Sequence, residues 1–409
     1  MSNCIVCKTK IRDKDKVLDL GNVYPSKFIS KNIDCLKSPL SLSQCPNTGC
    51  KLVQMTEILP ADSMYREYWY QSSLNSSMVK SLCDVVDSAK KRTKFQHKAV
   101  LDIGCNDGTL LNFYPSSIFK VGFDPANIAE KSIKKCDVFY NSYFPEKNLH
   151  FKTKFDIITS IAMFYDVTEP LEFVQAIKKL LGTYGTWVCQ MTELTSTLKR
   201  NAYDNICHEH IAYYTLNNFK GLVESCELEI YDVEYNNVNG ASIRTYIGHP
   251  GKHKVKKNVL KSLEEEESFL KQHSWDDFNK KIKYINNTVF NFIKNLKSEN
   301  KKVCGLGAST KGNTFLQCAG LTNQEIDVIY EVSEDKYGLY TLGSNIKIVP
   351  ESLIESDKPD CLLVLPWHFI DNIMQKQENF IKNGGCLLVA MPEPAVFKIV
   401  NNELKKILL

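Results

Sequence analysis

No run of eighteen consecutive apolar residues occurs in this 409-residue chain, which argues against a membrane-spanning helix and makes a membrane an unexpected partner. The opening Met1-Ser2-Asn3-Cys4 has neither the basic nor the apolar region of a secretory leader. An excess of one charge is missing too. Lys and Arg total 51 against 47 Asp and Glu, spread along the chain without a basic stripe, so nucleic acid is not an expected partner. Together these absences make the cytoplasm the expected location, where fifteen cysteines read as reduced thiols, some of them metal-bound, and not as a disulfide framework. What remains is a globular composition long enough for two or three domains and a large core.

Four of the cysteines carry a pattern. Cys4-Ile5-Val6-Cys7 and Cys45-Pro46-Asn47-Thr48-Gly49-Cys50 are short-spaced pairs separated by a long loop. Two such turns suit tetrahedral zinc, which wants four soft ligands, and four thiolates leave no open position for catalysis. Cys4, Cys7, Cys45 and Cys50 are therefore expected to hold a structural Zn2+ in a domain spanning 1–62; Cys35 is a spare.

The aromatic and hydroxyl-rich stretch from Tyr65 to Asn75, with Tyr68, Tyr70 and Ser72, suits a packed inter-domain surface or a polar pocket wall. A helix is expected from about Ser76 to Arg92, with Met78, Leu82, Val85 and Val86 on its apolar face. The apolar strand from Ala99 then runs into Asp102-Ile103-Gly104-Cys105-Asn106-Asp107-Gly108 and onward into an expected helix. Gly104 and Gly108 let the backbone approach a ligand closely. Some twenty residues on, a second apolar strand ends in Asp124, placed to accept both hydroxyls of a ribose. Glycines spaced as G-x-G-x-x-G are lacking, and Asn106 and Asp107 would repel a pyrophosphate. A phosphate-free nucleoside with a cationic amino-acid tail fits better. That is S-adenosylmethionine (SAM), and the turn resembles the first motif of class I methyltransferases.

Strands at Phe155–Ala162 and Thr186–Met191, helices at Pro170–Leu181 and Asn217–Cys226, and a closing strand pair at Glu229–Val233 and Ser242–Ile247 continue an α/β domain over 63–250. Between a strand and a helix of this order lies Asn205-Ile206-Cys207-His208-Glu209-His210. Two imidazoles around a carboxylate read as a general-base station, a hydrogen-bonded turn or a metal site. The position favours function, because such connections sit at the carboxyl edge of the strands, where ligands bind. Residues 251–299 are expected to form a solvated linking helix, with apolar Leu260, Leu263, Phe269 and Leu270. A second α/β unit, 300–409, opens with Gly305-Leu306-Gly307-Ala308-Ser309-Thr310-Lys311-Gly312-Asn313. It is Rossmann-like in outline without the third glycine, and its helix start is suited to hold phosphates.

Taken together, the cysteine head, the Tyr-x-Tyr-x-Ser segment at Tyr68 to Ser72, the glycine turn, the His-Glu-His segment, Asn239-Gly240-Ala241-Ser242-x-Arg244 and the Lys311-Gly-Asn313-Thr segment resemble the SAM-dependent sugar C-methyltransferases over essentially the whole length. The resemblance implies methyl transfer to the carbon beside the ketone of a nucleotide-linked keto-deoxysugar held between the methyltransferase and C-terminal domains. By motif match it makes His210 the base, Glu209 its orienting or proton-sharing partner, Tyr70 a donor toward the enolate and His208 a loop-positioning residue. Asp102, Gly104, Asn106, Asp107, Gly108 and Asp124 are the implied cofactor residues. Tyr68, Ser72, Cys207, Asn239, Arg244, Ser309, Thr310, Lys311 and Asn313 are the implied substrate residues. Two positions depart from the family: Cys207 stands where a tyrosine precedes its His-Glu-His, and Phe164-Tyr165-Asp166 replaces its Phe-x-His. A rival with the same cofactor would methylate an oxygen or nitrogen of an activated sugar, and a non-catalytic scaffold would keep the clefts without turnover. Oligomeric state is not legible.

Overall fold

The computed structural model describes residues 2–30, 36–66, 70–147 and 149–409, and the chain is α/β as expected. Three sheets organise it. The N-terminal sheet is antiparallel, ordered Lys16–Val23, Ser38–Gln44, Val53–Met55 and Ala212–Tyr213. Its fourth strand comes from far along the chain, immediately after the His-Glu-His segment.

The middle sheet has seven strands. Five run parallel in the order Val138–Tyr140, Phe119–Phe123, Ala99–Ile103, Phe155–Ile161 and Leu181–Met191. Ser242–Gly248 then lies antiparallel against Leu181–Met191, with Glu229–Asn236 outside it at the edge. All five residues of Ala99–Ile103 are buried and four of them are apolar, as a strand covered on both faces requires. The chain moves outward from this strand to Val138–Tyr140 and then returns to its other side, so the order of strands reverses at the carboxyl end of Ala99–Ile103, where open α/β sheets bind ligands. The C-terminal sheet repeats the plan. Ile348–Pro350, Ile329–Glu331, Val303–Leu306, Cys361–Val364 and Cys386–Val389 are parallel, and the antiparallel strands Ala395–Val400 and Glu403–Leu408 complete it. Its order reverses at Val303–Leu306.

Helices Ser76–Arg92, Pro170–Leu180 and Leu216–Ser225 form where their periodicity puts them, and Met78, Leu82, Val85 and Val86 are buried. Two expectations are corrected. The glycine turn leads only into a short 3-10 segment, Leu111–Phe113, because Pro115 follows at once and disfavours helical backbone in the residue before it. The single solvated linking helix is instead two helices, Lys257–Gln272 and Trp275–Ser298. Ser274 breaks the run: its hydroxyl accepts from Asp277 N while the Asp277 carboxylate takes Ser274 N, a reciprocal cap that starts a new helix. The second helix buries Phe278, Ile282, Ile285, Val289 and Ile293 at helical spacing. In the first, Leu260 and Leu270 face solvent while Val259, Ser262 and Glu266 are buried. Glu266, the third residue of an acidic run, turns inward because it accepts from Leu216 N at 2.6 Å and Asn217 N at 2.9 Å, capping the helix that follows the His-Glu-His segment.

The N-terminal segment also reaches the C-terminal sheet. Phe28–Ile29 pairs with Tyr340–Thr341, Ser26 Oγ donates to Thr310 O at 2.5 Å, and Tyr24 exchanges bonds of 2.8 and 3.0 Å with the Gln317 amide. Trp367 Nε1 donates to buried Asp204 at 2.9 Å, tying the C-terminal unit to the segment before His208. Among the described residues no helix is long and apolar enough to cross a membrane.

Candidate functional site

The first glycine turn is shaped by backbone that a side chain would obstruct. Gly104 and Gly108 both have φ of +74°. A Cβ at 104 would sit 2.9 Å from Met163 Cγ, and one at 108 would sit 2.9 Å from Ser132 Cβ. Gly104 N and Cys105 N donate to Phe123 O at 2.8 and 3.0 Å, locking the turn to the end of the second strand. There Asp124 accepts from Asn106 N and Ala126 N, both at 2.8 Å, which leaves each carboxylate oxygen a further lone pair. Asp102 lies beneath, accepting from Thr159 Oγ1 at 2.6 Å, and burial pushes its carboxyl up to about 7. Asn106 and Asp107 use their side chains on the aromatic stretch: Asn106 accepts from Ser72 N at 3.0 Å and donates to Tyr70 O at 2.9 Å, and Asp107 accepts from Ser73 N at 3.1 Å. All six implied cofactor residues thus gather at one strand edge. Tyr68 lies outside the described residues.

In the His-Glu-His segment His208 and Glu209 are buried and His210 is half-buried. His208 Nε2 lies 3.3 Å from Ser38 O, against the N-terminal sheet. His210 Nδ1 donates to Asn205 O at 2.8 Å; a carbonyl can only accept, so the lone pair is on Nε2. Burial, with the nearby Lys311 charge, holds this imidazole down at about 3, and its ring packs 4.2 Å from that of Tyr165. Glu209 is 6% exposed, its Oε2 has no hydrogen-bond partner, and burial raises its carboxyl. Ile211 N donates to Tyr165 O at 3.1 Å, so the turn that touches Gly104 through Met163 also touches this segment.

A cavity of about 1270 Å³ opens between the units. Its walls include Lys27 from the N-terminal segment, Tyr70 and Asn75 from the methyltransferase unit, Glu209, and Gly307, Ser309, Thr310 and Glu331 from the C-terminal unit. Of the His-Glu-His residues only Glu209 lines it. Ser309 caps its helix by accepting from Gly312 N at 3.0 Å. Lys311 is half-buried and donates to Asn239 O at 3.0 Å, its charge facing Asp204, Cys207 and Glu209. Two implied substrate residues are engaged elsewhere. Arg244 donates to Gln190 Oε1 at 2.7 Å, in the middle sheet, and to Asp84 Oδ2 at 2.9 Å, on the helix Ser76–Arg92. Asn313 faces Ser344 in the interior, and Asn239 offers its carbonyl to Lys311. Sequence reasoning missed Lys27, Asp204 and Glu331, and marked Asp166 only as a departure from the family pattern. Glu331 had a signal: it ends the second strand of its sheet, as Asp124 does, and accepts from Ala308 N at 2.8 Å just as Asp124 accepts from Asn106.

At the head, the sulfurs of Cys4, Cys7, Cys45 and Cys50 lie within 4.8 Å of one another, with Cys4–Cys50 at 3.7 Å and Cys7–Cys45 at 3.4 Å. Thiolates about 2.3 Å from a tetrahedral metal would stand roughly 3.8 Å apart, so the cluster could hold one ion. The neighbouring Cys50 thiol holds Cys4 down at about 5, and burial pushes Cys45 up to about 12.

A parallel sheet whose order reverses at a glycine turn, closed by an acid on the next strand and by an inserted antiparallel strand, defines a SAM-dependent methyltransferase. Residues 74–233 match the model of a methyltransferase domain and residues 237–392 that of a C-methyltransferase C-terminal domain. These two successive matches support a SAM-dependent C-methyltransferase. It is 26% identical over 368 residues to C-methyltransferase NovU of Streptomyces niveus, covering 88% of this chain and 87% of the relative. A tRNA U34 carboxymethyltransferase of Helicobacter pylori (strain P12) is 31% identical over 126 residues, 27% of this chain and 47% of that protein. Among solved structures, a complex of the Haloferax volcanii Trm112 methyltransferase activator with a putative methyltransferase matches at 13% identity and a TM-score of 0.35, over 42% of this chain and 93% of that one.

Proposed function

We propose that this enzyme methylates the carbon beside the ketone of a nucleotide-linked keto-deoxysugar. The observation that carries the reading is the cavity that has Glu209 on one wall and the capped helix start at Ser309 and Thr310 on another. Backbone N–H groups at that helix start suit a diphosphate, and the sugar then extends toward Glu209. A proton alpha to a ketone is weakly acidic and needs a placed base. Glu209 meets the substrate and takes that proton, while His210, neutral and fixed by Asn205 O, backs it. Tyr70, on the same cavity, donates toward the oxygen on which charge develops. Bound SAM supplies a sulfonium methyl to the enolate carbon. Asp124 and the Gly104 turn hold that cofactor, whose fit rests on the backbone cradle a Cβ would fill. The four head cysteines hold a structural Zn2+, a reading supported by their spacing and by thiols that require a reducing compartment such as the cytoplasm. The domain limits 1–62, 63–250, 251–299 and 300–409 belong to the same proposal.

The test offers nucleotide keto-sugars in deuterated water without SAM, then with labelled SAM. Exchange of one carbon-bound proton, followed by a single labelled methyl on that carbon, is the expected outcome by mass spectrometry. Methyl transfer without any prior exchange would count against an enolate.

A further inference from the structure

The amino edge of the middle sheet lies opposite the cofactor turn. Ala99–Ile103, Phe155–Ile161 and Leu181–Met191 run parallel and all start at this edge, and Ser242–Gly248, antiparallel to the last, ends at it. The five residues of Ala99–Ile103, at about 3.3 Å each, set the cofactor turn roughly 15 Å away. Lys94, Lys98, Lys154, Lys179, Lys252 and Lys254 stand on the segments that enter or leave these strands here, and all are exposed. They are widely spaced in the sequence, which is why no basic stripe shows there. The topology gathers them.

Contacts join these segments into one surface. The ammoniums of Lys94 and Lys252 stand over the ring of Tyr184, 5.9 and 6.0 Å from its centroid. Lys154 donates to Lys179 O. His253 stacks on Tyr231 at 4.2 Å and its Nε2 lies 3.1 Å from Gly185 O, which pins the loop that carries Lys252 and Lys254. The acids on the same segments are already engaged. Glu227 pairs with Lys178, Glu229 accepts from Gly251 N at 3.2 Å, and buried Asp156 accepts from the backbone of Gln96, His97 and Ala99. Among the described residues none of these exposed lysines forms an ion pair. Phe95, Tyr184 and Val255 are exposed between them.

We propose that this edge docks on an anionic lipid surface, with the cofactor turn facing away from it. The contact is peripheral, since no described helix is long and apolar enough to cross a membrane. A bilayer with acidic headgroups presents negative charge over a plane, and lysine ammoniums, which need no planar pairing, suit it. Exposed apolar tips beside lysines, as in Lys94-Phe95 and Lys254-Val255-Lys256, suit the boundary between headgroups and acyl chains. Nucleic acid fits less well. Bidentate recognition of phosphate favours arginine, and Arg92 at this edge is committed to Asp232 and Glu234. Bases stack on open aromatic faces, whereas the ring of Tyr184 is covered by two ammoniums. A second copy meeting the same edge would set like charges together.

The test mixes the full-length enzyme with vesicles of phosphatidylcholine alone, or of equal parts phosphatidylcholine and phosphatidylglycerol, and reads the bound fraction by sedimentation. Wild-type enzyme is expected to bind the anionic vesicles only, and less as salt rises. A lysine near such a surface multiplies partitioning about fivefold, so Lys94→Gln with Lys252→Gln is expected to weaken binding about 25-fold. Lys405→Gln with Lys406→Gln, on the exposed last strand of the C-terminal sheet, removes the same charge elsewhere and is expected to change binding less than about twofold. Equal binding to both vesicles, binding to neither, or an equal loss in the two double variants overturns the proposal. Capture on immobilised polyuridylate in preference to the anionic vesicles overturns it in favour of nucleic acid. None of these outcomes bears on the keto-sugar reading, which rests on the cavity at the other edge.

Discussion

Glu209 is where this site is concentrated. Its carboxyl alone of the His-Glu-His residues meets the cavity, so Glu209→Gln is expected to lower kcat by ~10²–10⁴, the range of a lost general base, with SAM affinity unchanged by calorimetry. A parallel loss of SAM binding would assign the residue to the cofactor instead. His208 and His210 are both held below the ordinary 6.5 by burial. The sign of the pH effect follows from that. Below about pH 6.5 the unfolded chain takes up protons that the folded one excludes, so stability is lost as pH falls from 6.5 toward 3. His210 contributes up to about 1.4 kcal/mol per pH unit in that window. Melting temperatures of His210→Asn and wild type between pH 6.5 and 4 check this, and the variant is expected to show the shallower decline. At this scale the sequence was partly legible. The His-Glu-His motif and the glycine turn are local strings, and so were the departures at Asp166 and Cys207. That both departures lie against one carboxyl is a long-range fact no string contains, and so is the approach of the Lys311 charge to Asp204.

Among the elements, the short strand Ala212–Tyr213 connects the cysteine head to the His-Glu-His segment. It pairs with Val53 and Gln54, Met55 N donates to Ile211 O at 2.9 Å, and Gln54 Oε1 accepts from Ile5 N inside the first cysteine turn at 2.9 Å. Cys45→Ser, or chelation of the wild type, is therefore expected to release one zinc and to cut turnover along with it. Metal analysis and activity measured on the same sample decide; full activity in metal-free protein would disconnect the two. Glu266 is a second connecting element. Glu266→Ala strips the acceptor from Leu216 N and Asn217 N, and a loss of about 1–2 kcal/mol in chemical denaturation is expected, as for other helix caps. The helices around it were misread because the acidic run Glu264 to Glu267 suggests solvent on every side. One inward glutamate serving another helix's terminus leaves no trace in local periodicity. The helix expected after the first glycine turn failed for a local reason, Pro115, that the sequence did display.

Over the whole molecule, the central parallel strands of the two seven-stranded sheets were legible as buried apolar runs, and each glycine turn with a later acid marks a reversal of strand order; the outer strands Val138–Tyr140, Ile348–Pro350, Ala395–Val400 and Glu403–Leu408, which are not buried throughout, were not. The way the three units meet was not. Tyr24, Ser26 and Phe28 give no sign in the sequence that they dock on Thr310, Gln317 and Thr341, since these contacts join positions some three hundred residues apart.

The borrowed fourth strand of the N-terminal sheet has a consequence for how the polypeptide comes into being. A ribosome has produced more than two hundred residues before Ala212 and Tyr213 exist to close that sheet, so the cysteine turns wait with an open edge until the middle of the enzyme emerges. A fragment ending at residue 62 should for the same reason be a poor autonomous fold. Its amide protons in Val53–Met55 are expected to exchange with solvent far faster than in the complete chain.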